Sequence, residues 1–398
     1  MRTCRSALAA CCLLALSACT GTTPGDSSTT GGADQNGTGS ASAATSTSSP
    51  PSCAQQTADG LTPEQKGAQL ILVAMSSSTI GSTSTQITDG YAGGVFLLGG
   101  WSSVTTTATA TEHIHLLADG TTGITPWVTI DQEGGAVQQL KGPDIPAIPS
   151  ALDQAELGAV DLRAQATLWG QQLKGAGIDI NLAPVADVVP TEKGTKNAPI
   201  GYYDRQYGAT PHEVSGPMIA FMQGMQDAGI TPTVKHFPGI GRIDGNTDKT
   251  AAGIADHQLT ADDPVLQPFQ DAIDEGAPIV MVSTAQYPNL DPANQAAFSP
   301  PIVTDLLREK MGFDGVVFSD DVGAAVSVSG IPVADRATRF IEAGGDVVLT
   351  AVADQAPTMH AAIVAKYAAD TEFADQVDDA VDRVLALKEE QGLLVCAD

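Results

Sequence analysis

The stretch Ile230–Ala251 reads ITPTVKHFPGIGRIDGNTDKTA. Its first half is apolar and β-branched, the pattern of a buried strand, and that strand ends on Lys235 and His236. Its second half is a long polar loop with glycines and carboxylates. Loops of this make-up at the C-terminal end of a buried strand are where α/β barrels hold their functional groups. The same unit recurs along the chain. Strand-like runs occur as QLILVAM (69–75), AGGVFLLG (92–99), PWVTIDQEGG (126–135) and IDINLAPVADV (178–188). After ITPTVKHFPG (230–239) come PIVMVSTAQYP (278–288), GVVFSDD (315–321) and GDVVLTA (345–351). Between runs lie segments with apolar residues at three- and four-residue spacing, such as DLRAQATLWGQQLKGAG, DDPVLQPFQDAIDEGA and PPIVTDLLREKMGF. Eight strand–helix units predict an α/β fold, a (β/α)8 TIM-type barrel, as one domain over residues 53–398. A doubly wound open sheet is the alternative, but no glycine-rich fingerprint follows the first strand.

The polar residues fall at one end of these runs. Asp131 and Glu133 close the third, Asp187 the fourth, Lys235 and His236 the fifth, and Asp320 and Asp321 the seventh. In a barrel those ends share one mouth. Singly, each residue reads as a cap or a structural ion pair. Four strands that agree on one end predict a shared site.

The chain ends carry a second message. Arg2 and Arg5 precede an apolar run to Leu16 that is too short to cross a bilayer and fits a signal-peptide core over residues 1–18. Leu16-Ser17-Ala18-Cys19 resembles the lipobox of bacterial lipoproteins, which implies a lipid on Cys19. An unlipidated cut near Ala18 is the alternative. The following segment to Ser52 is Ser, Thr, Gly and Ala with almost no large apolar residue, so it is expected to be a disordered tether. Cys53 and Cys396 are then the cysteines left in the folded region, and in an exported protein they are expected to form a disulfide. Two unpaired thiols are the other reading. The formal charge is −27, and loss of Arg2 and Arg5 makes it more acidic still. Such a balance argues against nucleic acid and against direct adsorption to anionic lipid. Membrane contact is expected through the lipid anchor only, in the cell envelope, and the chain is expected to be a monomer.

A carboxylate-rich mouth suits a metal, glycoside hydrolysis or sugar binding. The six histidines are scattered and the cysteines lie at the ends, so no metal and no cofactor are expected. Sugar hydroxyls suit carboxylates and Lys, Arg and His donors, and glycoside cleavage runs on two carboxyl-type groups. The ordered segments DQEGG (131–135), INLAPVADV (180–188), IGYYDRQYG (200–208), KHFPG (235–239) and GFDGVVFSDD (312–321) together resemble glycoside hydrolase family 3. The branch they resemble is the single-domain β-N-acetylglucosaminidases that act on peptidoglycan fragments. The resemblance implies a retaining double displacement with Asp320 as nucleophile and Asp131, Arg205, Lys235 and His236 as sugar ligands. Asp321 is the neighbour of Asp320 and its competitor, expected to point away along the strand.

Two departures stand out. The family usually shows KHFPGHG and then an Asp-x-His pair whose histidine is the general acid/base. Here Ile240 replaces the first histidine, and Asn246 and Asp248 stand at the places of the pair. The resemblance therefore implies Asp248 as proton carrier, with Asp244 as the rival carboxylate on the loop. Arginines common in the DQEGG stretch are replaced by Ala136 and Gln139. The expected function is an exo-acting β-N-acetylglucosaminidase that takes a peptidoglycan-derived sugar substrate. The alternatives are a catalytically impaired sugar-binding lipoprotein, and a β-glycosidase of the same fold with another sugar or with phosphate as acceptor.

Overall fold

The computed structural model describes residues 52–117 and 123–395. The leader, Cys19, the tether through residue 51 and Cys396 lie outside the described residues. Eight parallel strands close into a barrel in chain order: β1 (Ile71–Met75), β2 (Gly94–Leu97), β3 (Trp127–Ile130), β4 (Ile180–Asn181), β5 (Thr231–Phe237), β6 (Ile279–Val282), β7 (Val316–Asp321) and β8 (Val347–Thr350). Each falls inside one of the eight apolar runs, so the (β/α)8 reading holds. Most strand residues are fully buried, because one face fills the barrel and the other packs under helices. Gly94 lets β2 lie close against β3: a Cβ there would lie 2.5 Å from the Trp127 carbonyl.

The helices obey their own end signals. Thr210 and Glu213 form a capping box around Pro211 and start the helix Pro211–Asp227. That helix packs on Ala159–Gly175, the predicted amphipathic segment. The segment expected as an α-helix after Pro300 is instead π-helical over Pro301–Lys310, with the Met311 N–H donating to the Leu306 carbonyl at 3.0 Å. The wider winding still turns Ile302, Val303, Leu306 and Leu307 inward.

The lower end of the barrel is plugged by Lys388, from the last helix, Thr371–Glu390. Its ammonium donates to Gln69 Oε1 (2.8 Å), Thr125 O (3.0 Å) and Gly93 O (3.3 Å) and sits 4.9 Å from the centre of the Trp127 ring. Burial pushes it down to about 7. The same helix ties down the start of the domain. Glu389 accepts from the backbone N–H groups of Cys53 (3.3 Å) and Ala54 (3.1 Å). Among the described residues, no helix is long and apolar enough to cross a membrane.

Candidate active site

At the upper end of the barrel the strand termini surround a cleft of about 270 Å³, near the small end of the usual range for ligand sites. Asp131, Arg205, Lys235, His236, Asp248 and Asp320 all line it, as does Asp321. Phe96, Leu182, Met281 and Leu349 supply apolar wall.

The floor is a network of buried charges. Lys235 Nζ lies 2.5 Å from Asp131 Oδ1 and 2.6 Å from Glu133 Oε1. Arg205 grips Glu133 with two bonds, Nε to Oε2 at 2.8 Å and Nη2 to Oε1 at 2.7 Å. Burial alone would raise the Glu133 carboxyl, but Arg205 and Lys235 hold it down at about 2. Burial opposes the charge on Lys235 as well, and Asp131 and Glu133 overcome it, so the ammonium is raised above its ordinary value. His236 Nδ1 donates to Asp187 Oδ2 at 2.7 Å, and Arg205 Nη2 lies 3.4 Å from His236 Nε2. Both Lys235 and His236 thus serve the mouth, and the peptide between them is cis. Glu133 and Asp187 were visible in the sequence only as polar strand ends. Their work as supports of Arg205, Lys235 and His236 depends on partners 49 to 102 residues apart, which a linear pattern does not reveal.

Asp320 and Asp321 differ in what they are free to do. Asp321 is saturated: its carboxylate accepts from the N–H groups of Gly323 (2.8 Å), Ala351 (2.8 Å) and Ala324 (3.0 Å). It pins the ends of β7 and β8 together. Asp320 accepts one backbone bond, from Asp321 N at 2.8 Å. Burial raises it to about 6; the charge of Asp248 adds to the rise, while His236 and Lys235 oppose it. Strict alternation would turn Asp321 away from the cleft. The pairing of β7 with β8 shifts between Phe318 and Asp321, and both side chains reach the cleft.

The loop after β5 is held from below. Asp187 Oδ1 accepts from Ile240 N at 2.6 Å. The buried Asn197 donates to the carbonyls of Ile240 and Ile243, each at 2.8 Å. Gly241 allows the loop to press on its neighbour, since a Cβ there would lie 1.9 Å from the Val188 carbonyl. At the tip, Asn246 Oδ1 accepts from Asp248 N at 2.9 Å, the turn that Asn favours. Across the mouth, Ser327 N donates to Thr247 O (3.0 Å) and Val326 N to Asp248 O (3.3 Å). Asp248 is thereby presented to the cleft that contains Asp320. Asp244 is not: it lies outside the lining, largely exposed, and pairs with Lys193 at 2.6 Å. Asn197 was not singled out in the sequence, where a lone Asn in a loop carries no signal. Of the two family departures in the DQEGG stretch, Ala136 is exposed and Gln139 accepts from Gly99 N at 2.9 Å. Among the described residues no cluster of His, Cys, Asp or Glu is placed to hold a metal ion.

Residues 62–387 match the family described as "Glycosyl hydrolase family 3 N terminal domain". The chain belongs to glycoside hydrolase family 3. A solved relative, a β-N-acetylhexosaminidase from Beutenbergia cavernae, is 46% identical with a TM-score of 0.81, covering 83% of this chain and 99% of that one. The protein named "Beta-hexosaminidase LpqI" from Mycobacterium tuberculosis is 32% identical over 394 residues, 96% of either chain. A "Beta-hexosaminidase" from Stenotrophomonas maltophilia is 36% identical over 231 residues, 56% of this chain and 66% of that protein, just short of two thirds.

Proposed function

We propose that this family-3 protein is an exo-acting β-N-acetylhexosaminidase that releases terminal N-acetylglucosamine from peptidoglycan fragments with retention of configuration. The observation that carries the reading is the pair of carboxylates on one cleft. Asp320 is half-buried with a single backbone bond, and Asp248 faces it from a separately anchored loop. In the first step Asp320 attacks the anomeric carbon while Asp248 gives a proton to the glycosidic oxygen. The C1–O bond breaks and the aglycone leaves as an alcohol. In the second, water attacks C1, its proton goes to Asp248, and the C1–Asp320 ester bond breaks. Asp131, Arg205, Lys235 and His236 bind and orient the sugar hydroxyls. The ion pair of Lys235 with Asp131, and the bonds of Arg205 and Lys235 to Glu133 and of His236 to Asp187, keep the donors in place before substrate arrives, so little reorganisation is left for the reaction.

The acyl-anchored form follows from Cys19, with the Ser/Thr/Gly-rich tether holding an acidic domain off the membrane within reach of wall fragments. Replacing Cys19 with Ala should release the protein from the membrane fraction or leave it unprocessed; a soluble, fully processed wild type contradicts the anchor. A binding-only role has one observation in its favour, the aspartate at the family's histidine position. Leaving groups separate the two. Asp248→Ala should slow poor leaving groups far more than activated aryl glycosides, and azide should restore deglycosylation. A wild type that turns over neither kind of N-acetyl-β-glucosaminide defeats the enzymatic reading. A 2-fluoro or 5-fluoro sugar should label Asp320, and a label on Asp321 reverses that assignment.

A further inference from the structure

We infer that Tyr202 is the stacking platform for a leaving-group sugar, held ready by Tyr203 and Lys249. The inference rests on Asp248 as proton donor and adds where the aglycone lies and what it is. The general acid must sit within hydrogen-bond reach of the glycosidic oxygen. The leaving ring therefore extends past Asp248, on its side of the cleft. The next residue, Lys249, is exposed, and its ammonium donates to the Tyr203 hydroxyl at 2.9 Å while lying 5.4 Å from that ring's centre. Tyr203 in turn meets Tyr202 edge to face, with ring centres 4.8 Å apart and planes 82° apart. Tyr202 is 63% exposed. Large aromatic side chains usually bury their area. The main chain fixes this one in place, since Tyr202 N donates to Asn197 O at 2.9 Å, three residues beyond Pro199 of the cleft wall.

The chemistry of the occupant follows from the ring. A pyranose presents a face of C–H groups, and such a face packs on the electron-rich face of a tyrosine. An aglycone without a ring gains nothing there. The Lys249–Tyr203 contact joins the loop after β5 to the loop after β4, so the platform and the proton donor share one support. Binding energy from a remote sugar ring is then available to the step at C1. The assigned ligand class is a saccharide leaving group.

The test compares two donors with the same N-acetylglucosaminyl group. N,N′-Diacetylchitobiose leaves a sugar, and the β-glycosyl fluoride leaves only fluoride. Tyr202→Ala should lower the ratio of kcat/KM for the disaccharide over the fluoride by about tenfold. Tyr202→Phe should keep the wild-type ratio, since it retains the ring. Thermal melting checks that both variants fold. An equal fall on both donors marks Tyr202 as merely structural and overturns the inference, as does an unchanged ratio in Tyr202→Ala. Either result leaves the proposed hydrolysis standing. A wild type inert on both donors overturns the hydrolytic reading and this inference with it.

Discussion

Replacing Asp320 with Asn should stabilise the protein while abolishing turnover. Burial raises Asp320 from the ordinary aspartate value of 3.8 to about 6. That rise corresponds to about 3 kcal/mol of penalty for carrying the charge in the folded state. The side chain is half-buried and open to the cleft, so water trims the penalty to about 2 kcal/mol. The sign follows from linkage. Below 3.8 the carboxyl is protonated whether the chain is folded or not, and the penalty is absent. Between 3.8 and about 6 the unfolded chain loses its proton first, so stability falls as pH rises. Above about 6 the penalty is complete. Asn keeps an oxygen for the Asp321 N–H and carries no charge. The gain should be near zero at pH 3.5, grow through pH 5, and level above pH 6.5. For a domain of this size about 2 kcal/mol moves the melting temperature by about 3 °C. Calorimetry of both proteins across this pH range, with turnover assayed in parallel, measures it. A gain that does not vary with pH, or a loss at pH 7, refutes the account of Asp320. Nucleophiles commonly cost stability in this way.

Glu133→Gln should act in the opposite sense. Arg205 and Lys235 hold Glu133 at about 2, so its contribution is present above its ordinary 4.5 and lost as pH falls toward 2. The variant should be about 3 kcal/mol less stable at pH 7, a gap that closes in acid, with kcat/KM reduced as Arg205 and Lys235 lose their support; equal denaturation midpoints at pH 7 would count against it. Asn197→Ala strips partners from the Ile240 and Ile243 carbonyls and from the N–H groups of Ile200 and Gly201. It should cost about 3 kcal/mol and expose the loop after β5 to protease, read by limited digestion. Cys53 and Cys396 should appear as one linked peptide in a non-reduced digest of protein exported by its host, and two free thiols would end that expectation. In the chain-entropy view this link would stabilise by about 6 kcal/mol, an upper figure.

Much of the barrel was legible because its signals are local. A buried parallel strand is a short apolar run, and helix starts such as Thr210-Pro211 announce themselves in adjacent residues. The mouth was legible for a topological reason. Parallel strands in a closed barrel all end at one rim, so Asp131, Asp187, Lys235, His236 and Asp320 had to meet if the strands formed. Motif order carried the family. The winding of Pro301–Lys310 was not legible, because π and α turns share the same apolar spacing over ten residues.

What the sequence by itself determined is the set of charges at the rim and their approximate neighbourhood. Tertiary structure decided which of them are occupied. Asp320 and Asp321 are adjacent and chemically alike, yet only the convergence of Gly323, Ala324 and Ala351 on Asp321 separates a structural carboxylate from a free one. Asp244 and Asp248 share a loop, yet Lys193, from a different loop, takes the first, and the second faces the cleft. Glu133 is set by cations 72 and 102 positions away. The physical reason is the same in each case. A carboxylate's role depends on which donors and charges lie within a few ångströms, and those come from segments that only closure of the barrel brings together.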